Sequence, residues 1–133
     1  MNYETVYQTL KAKLTALVPG AAVRCPNEPP AENTALDIDV SVTETDSHPY
    51  TEVETNHHVS MDLLTSVPAS EGTERIHHIV SRLVTAFDPL HGGDFWTEDH
   101  QYFVGIESVG QKQPNSAGGR YQINVRILAI IQT

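Results

Sequence analysis

Leu36-Asp37-Ile38-Asp39-Val40-Ser41-Val42 is the stretch that decides the fold of this chain. Apolar and polar side chains alternate along it without interruption, which is typical of a β-strand with one buried face and one face turned to solvent or to a partner. The polar segment from Thr43 to Pro49 is expected to be a connection. It leads to a second, less regular strand between Tyr50 and Leu64, where alternate residues from Val53 to Leu63 share one face.

Helical periodicity lies on both sides of these strands. From Tyr3 to Val18 the apolar residues recur at spacings of three and four, which predicts an amphipathic helix that ends at Pro19-Gly20. Ser70 is placed to cap a second helix, whose apolar stripe extends from Ile76 to Phe87. Both stripes need a surface to bury them, so both helices are expected on one face of the sheet.

The remaining strands are shorter or lie near the end of the sequence. A short strand is expected around Val23, before a proline-rich loop at Cys25 to Pro30. Tyr102 to Glu107 alternates, and Gly110 to Gly119 is expected to be a mobile loop. Tyr121 to Ile131 also alternates and becomes apolar on both faces, so this strand should be central in the sheet or covered by a neighbouring subunit.

The order of elements, α-β-β-β-α-β-β, predicts one α+β domain over residues 1–133. We expect a mostly antiparallel sheet of about five strands with two helices packed on one face. No apolar run approaches the ~20 residues that a membrane-spanning helix needs, and no secretory leader is visible. The chain is therefore expected to be made in the cytosol and to have no membrane partner.

The net negative charge of the chain opposes its binding to nucleic acid. Lys and Arg number 8 and Asp and Glu number 17, a formal charge of −9, which opposes attraction to phosphate backbones. Sequence-specific binding is disfavoured, whereas passage of DNA along an acidic wall is compatible with this sign. The acidic cluster comprises Glu44, Asp46, Glu52 and Glu54. Such a cluster lines a ligand site or a pore, or, more commonly, is a solvated surface.

No catalytic, metal or cofactor site is assigned, and the chain is not expected to be an enzyme. The side chains of adjacent residues point in different directions on strands and helices. Two adjacent histidines, as in His57-His58 and His77-His78, are therefore not expected to coordinate the same metal ion. Cys25 lies in the proline-rich loop with no nucleophile motif around it. One composite site stays open as an alternative, formed by His48, His57, Asp94 and His100.

Three residues are candidates for an interface between subunits. Phe95 and Trp96 follow a Gly-Gly loop in what is expected to be a short strand, and their aromatic side chains suit either the core or an interface anchor. Ile130 belongs to the part of the last strand that is apolar on both faces. The two readings of Phe95 and Trp96 remain open at this stage.

The assembled pattern resembles the tail terminator, or tail completion, proteins of long-tailed bacteriophages over most of the chain. The resemblance rests on the amphipathic first helix and on a short strand that enters a Pro-Asn-x-Pro loop, Val23-Arg24-Cys25-Pro26-Asn27-Glu28-Pro29-Pro30. It also rests on the alternating strand from Leu36 to Val42, the long polar-tipped strand after it, the second helix ending at Phe87, and the two C-terminal strands.

This resemblance implies a structural protein of the virion tail and neck, made in the bacterial host cytoplasm. Its subunits would form a homohexameric ring that caps the tail tube, stops tube polymerisation and offers a joining surface to the head connector. Genomic DNA would pass through the ring without sequence-specific binding, and the acidic cluster would be a candidate for the lumen. The alternatives are another neck or baseplate component, a small metal-dependent hydrolase, and a monomeric ligand-binding module.

Overall fold

The computed structural model describes residues 1–26, 28, 36–71, 73–88, 101–110, 113–115 and 119–133. Within these residues the chain forms two α-helices and six β-strands. Their bounds are α1 (Tyr3–Leu17), β1 (Ala22–Arg24), β2 (Asp37–Pro49), β3 (Thr55–Pro68), α2 (Thr73–Phe87), β4 (Gln101–Val109), β5 (Gln113–Asn115) and β6 (Arg120–Gln132). The predicted α+β order is confirmed, and β5 is an additional short strand.

The strands form one mixed sheet in the order β1-β2-β3-β6-β4. β1 is parallel to β2, and every other pairing is antiparallel. β6 lies between β3 and β4, and β5 pairs with the first residues of β6. The last strand was predicted to be either central in the sheet or covered by a neighbouring subunit, and the structure shows the central position.

The β2–β3 hairpin is longer than the sequence predicted. Thr43 to Pro49, expected to be a connection, continues β2 through a bulge between Glu44 and Asp46, and the ladder with β3 extends to the pair Pro49 and Thr55. The turn is Tyr50 to Glu54, so β3 begins at Thr55 rather than at Tyr50. The prediction failed because the outer half of β2 is exposed on both faces, where polar side chains carry no alternation.

Two other boundaries differ from the prediction. Ser70 does not cap α2 directly, because it lies in a 3₁₀ turn, Ala69–Glu71, and α2 begins at Thr73. Within the segment expected to be a mobile loop, β5 pairs with Arg120–Gln122. The β-propensity of its three residues does not predict this strand, because the strand depends on hydrogen bonds to the neighbouring edge of β6.

Both helices pack on the same face of the sheet, as predicted. One continuous core joins the buried stripe of α1, centred on Leu10, to that of α2, centred on Leu83. Alternate residues of the strands complete it, among them Ile38, Met61 and Ile127. The phenol oxygen of Tyr7 accepts a 2.8 Å hydrogen bond from the Val42 amide, which fixes α1 against β2. No helix among the described residues is long and apolar enough to cross a membrane.

Candidate assembly surface

The sheet has a second face that neither helix covers, here called the open face. Cross-strand register places Asp62 opposite Arg126 and Ser60 opposite Leu128 on this face. Next along the same two strands, His58 stands opposite Ile130. The open face therefore changes in character along β6, from charged near Arg126 to apolar near Ile130.

A buried ion-pair network occupies the β1 end of the open face. The Asp37 side chain is only 9% exposed and lies 3.2 Å from an Arg24 nitrogen and 3.4 Å from an Arg120 nitrogen. Arg24 also donates to Asp39 at 2.9 Å, while Arg120 donates to the Ser66 hydroxyl at 2.8 Å. Burial works to lower the pKa of Arg24, but its hydrogen bonds and ion pairs with Asp39 and Asp37 outweigh that effect and raise it.

A second ion pair lies in the middle of the open face. Arg126 donates to both carboxylate oxygens of Asp62, at 2.9 and 3.3 Å, and the Asn124 amide donates to the first of them at 3.0 Å. Burial works to raise the pKa of Asp62, but the hydrogen bonds from Arg126 and Asn124 outweigh it and lower the pKa. Asp62 is therefore ionised at neutral pH.

The ion-paired groups of the open face balance one another. They are the three arginines Arg24, Arg120 and Arg126 and the three aspartates Asp37, Asp39 and Asp62. The chain as a whole carries a formal charge of −9, and further acidic groups lie near this face, among them Asp46 and the Glu107 carboxylate that acts on Arg126. The ion pairs themselves therefore add no net charge to the open face.

An apolar cluster lies where the open face meets the β4 edge. Leu128 is 37% exposed and Val104 is 49% exposed, and a bulge in β4 places Val104 and Gly105 opposite Leu128. Ile130, two residues further along β6, is half-buried beside them. We call Val104, Leu128 and Ile130 the Leu128 patch. The predicted interface residue Ile130 thus lies on the open face, whereas Phe95 and Trp96 lie outside the described residues.

The turn of the β2–β3 hairpin, Tyr50 to Glu54, is here called the hairpin tip. Tyr50 is 62% exposed and Val53 is 87% exposed. Backbone hydrogen bonds from Tyr50 and Thr51 to the Glu54 carbonyl, at 2.8 and 3.1 Å, close the turn. The Thr51 hydroxyl accepts from the Val53 and Glu54 amides. The tip is therefore an ordered turn that holds two apolar side chains in water.

The structure brings the predicted acidic residues together in the outer half of this hairpin, on two different faces. Glu44 contacts His57 on the helix side, with 2.9 Å between Oε1 and Nδ1, and His57 Nε2 lies 2.8 Å from the Thr133 hydroxyl. This chain of carboxylate, imidazole and hydroxyl ties the end of β6 to the hairpin. Glu52 and Glu54 lie in the hairpin tip.

The fourth acidic residue belongs to a histidine cluster on the open side of the hairpin. Asp46 lies 2.7 Å from Nε2 of His48, and the His48 ring meets the edge of the His58 ring at 5.3 Å. The hydrogen bond from the Ser47 amide is the main cause that lowers the pKa of Asp46, and the two imidazoles add to it. At neutral pH this side chain is a carboxylate.

The composite histidine site is not assembled by the residues that the structure describes. His57 has Glu44 and Thr133 as its partners, whereas His48 packs on His58, so the two histidines take part in separate clusters. Asp94 and His100 lie outside the described residues. Among those that are described, no group of three or more His, Cys, Asp or Glu side chains is arranged to hold a metal ion.

Cys25 lines a surface groove of about 590 Å³ between α1 and the beginning of the proline-rich loop. Lys11 and Glu28 bridge the groove with a 3.2 Å ion pair, and Tyr3 and Tyr7 contribute its aromatic wall. Burial raises the pKa of the Cys25 thiol, and the nearby Glu28 carboxylate adds to the increase. The thiol is therefore protonated at neutral pH, the opposite of an activated nucleophile.

Three exposed residues of the hairpin tip and the open face were not predicted from the sequence: Tyr50, Val53 and Leu128. Tyr50 and Val53 were assigned to a strand, where a half-buried apolar residue is ordinary, and only the position of the turn shows that they protrude. Leu128 occupies a position that alternates with buried residues, which was the available signal. A comparison with protein-family models finds no matching family, and a search of curated proteins finds no match.

Proposed function

We propose that this chain is a subunit of a homo-oligomeric ring that caps the tail tube of a long-tailed bacteriophage. The ring stops polymerisation of the tube and presents the joining surface to the head connector or another neck protein. Its location is the tail and neck of the virion, after synthesis in the bacterial host cytoplasm. The proposal combines the resemblance of the sequence to tail terminator proteins with the chemistry of the open face.

The observation that carries the proposal is the composition of the open face. Its ion pairs cancel in charge, and Leu128 and Val104 leave an apolar cluster exposed beside them. Polar rims around an apolar centre are typical of protein interfaces. A closed ring needs one surface on each subunit that contacts a different surface of its neighbour, and the open face supplies one of the two.

The acidic hairpin fits the passage of DNA through such a ring. Its outer half holds the four predicted lumen residues, Glu44, Asp46, Glu52 and Glu54. Two of these carboxylates contact histidines, and the other two lie in the hairpin tip. Carboxylates that line the channel repel the phosphates of the genome, so the DNA passes without adhering.

Neutralising this cluster is expected to slow genome ejection and to lower the yield of infectious virions, because DNA would then adhere to the channel wall. The variant combines Glu44→Gln, Asp46→Asn, Glu52→Gln and Glu54→Gln. The charge-matched control replaces acidic residues near the helices, with Glu4→Gln, Glu28→Gln, Glu71→Gln and Glu74→Gln. Ejection and yield equal to those of the wild type in the first variant would contradict a channel role for these four residues.

The ring itself is tested by the mass of the purified protein over a wide concentration range, with and without added tail tubes. The chain has a mass of 14.7 kDa, so a hexamer has a mass of about 88 kDa. We expect a ring-sized species in solution or on the ends of the tubes. A protein that remains monomeric under every condition and ignores the tubes would overturn the proposed function.

A further inference from the structure

We propose that the outer half of the β2–β3 hairpin, residues 43–58, is a pH-sensitive channel wall. Its histidines cancel most of its negative charge in mild acid, so that DNA moves freely past it near neutral pH and adheres to it below. The inference rests on the ring proposed above, because it assigns a regulation to the same channel residues.

Histidine is the only source of positive charge in this segment. Residues 43–58 contain three histidines and no lysine or arginine, and their carboxylates are the four predicted lumen residues, Glu44, Asp46, Glu52 and Glu54. Imidazole side chains take up a proton between about pH 8 and pH 5, whereas most carboxylic acids stay ionised in that range. The formal charge of the segment is therefore −4 with neutral imidazoles and −1 with all three protonated.

The fold places these histidines directly beside the carboxylates. His57 lies 2.9 Å from Glu44 on the helix side, and His48 lies 2.7 Å from Asp46 on the open side. The His58 ring packs against the His48 ring, and its charge also acts on Asp46. Each added proton therefore reduces the negative potential of the hairpin itself rather than that of a distant surface.

The carboxylate of the open-side cluster keeps its charge while the imidazoles titrate. The hydrogen bond from the Ser47 amide is the main cause that lowers the pKa of Asp46. This group is therefore still a carboxylate at the pH at which imidazoles become cationic. The change in charge comes from protons gained by histidine and not from protonation of Asp46.

The side chains of β6 that lie beside these histidines do not titrate. His57 and His58 stand opposite Ile131 and Ile130, and the Thr133 hydroxyl contacts His57. No charged group of β6 at these positions therefore offsets the charge that the histidines gain.

The cations on the neighbouring part of the sheet already have partners. Arg126 pairs with Asp62 on the open face and also faces Glu107. On the helix side, the Lys13 ammonium lies over the ring of Phe103. Neither group belongs to the hairpin, so the pH dependence of the wall is assigned to its own histidines.

This change of charge has a direct consequence for DNA in the channel. Near neutral pH the carboxylates repel the phosphates, as proposed above. In mild acid most of that repulsion is lost, and each imidazolium can donate a charge-assisted hydrogen bond to a phosphate oxygen. We therefore expect genome ejection to be several-fold slower in mild acid than near neutral pH.

Removal of the two open-side histidines tests the inference in virions. The variant combines His48→Gln with His58→Gln and leaves His57, which holds the end of β6, in place. Ejection by the wild type should fall several-fold between about pH 7.5 and about pH 5.5, and ejection by the variant should fall much less. The matched control, His77→Gln with His78→Gln, removes two exposed imidazoles from α2 and should behave as the wild type. Melting curves at both pH values establish that each variant is folded.

Added salt provides a second measurement. Contacts between imidazolium and phosphate are screened by salt, so higher ionic strength should restore ejection of the wild type at about pH 5.5. The two proposals fail separately. Rings that cap the tubes while the His48 and His58 variant keeps the full pH dependence of the wild type would overturn this inference alone. A protein that never caps a tube would overturn the ring and, with it, the pH-sensitive wall.

Discussion

Phe87→Ala is expected to lower the free energy of unfolding by about 3 to 5 kcal/mol, the cost typical of removing a buried aromatic side chain. Phe87 ends α2 and is fully buried against Phe103 of β4, with the two rings edge to face and 4.9 Å between their centroids. The Lys13 ammonium lies 5.4 Å from one ring centroid and 5.7 Å from the other. The substitution therefore removes a contact shared by three elements.

Urea unfolding of the purified domain measures this effect. The midpoint should fall while the slope stays the same, because the substitution changes stability and not the surface exposed on unfolding. Phe87→Leu should cost less, and Thr85→Ala, at an exposed position of the same helix, should cost little. A double-mutant cycle with Phe103→Ala should give a coupling of about 0.5 to 1.5 kcal/mol. A loss below about 1 kcal/mol for Phe87→Ala would contradict the buried position of this ring.

Asp37→Ala is expected to cost about 3 kcal/mol, because it leaves two largely buried arginines without their shared carboxylate. The side chains of Arg24 and Arg120 are only 16% and 19% exposed, so water replaces little of the lost interaction. The network also joins β1 to β2 and to the beginning of β6. We expect the loss to appear both in stability and in the order of the short strand β1.

Asp39→Ala is the matched control for this network. Asp39 contacts the same Arg24, but its side chain is 48% exposed, so its loss should cost less than about 1 kcal/mol. Removal of one cation together with the carboxylate, as in Asp37→Ala with Arg24→Leu, should cost less than the sum of the two single changes. Equal losses for Asp37→Ala and Asp39→Ala would show that burial does not govern the network.

The sequence predicted the features that depend on local periodicity. The stripe of α1 and the alternation of Leu36 to Val42 are properties of neighbouring residues, and burial on one face follows from them. The ion-pair partners of Asp37 could not be predicted from the sequence, because Arg24 and Arg120 come from strands far apart in the chain. The contact of His57 with Glu44 and Thr133 depends on a bulge and on β6 reaching the hairpin.

The candidate surface could be predicted only in part, because it too depends on contacts between residues far apart in the sequence. Ile130 and the four acidic residues were identified by composition and by the two-sided apolar pattern. The hairpin tip was not, because the exact turn between two polar strand halves depends on the register of β2 with β3. The ion pairs of the open face likewise appear only when distant arginines and aspartates are paired in space.

The position of β6 also sets the order in which this sheet can be completed. β3 and β4 are both synthesised before β6, yet each has β6 as a neighbour, and β3 pairs with it over its whole length. The contacts that close the sheet are therefore long in sequence separation, which is typical of slow-folding domains. Until β6 has been synthesised and paired, the inner edges of β3 and β4 have no partner. Strand exchange between neighbouring nascent chains is therefore most favourable in that interval.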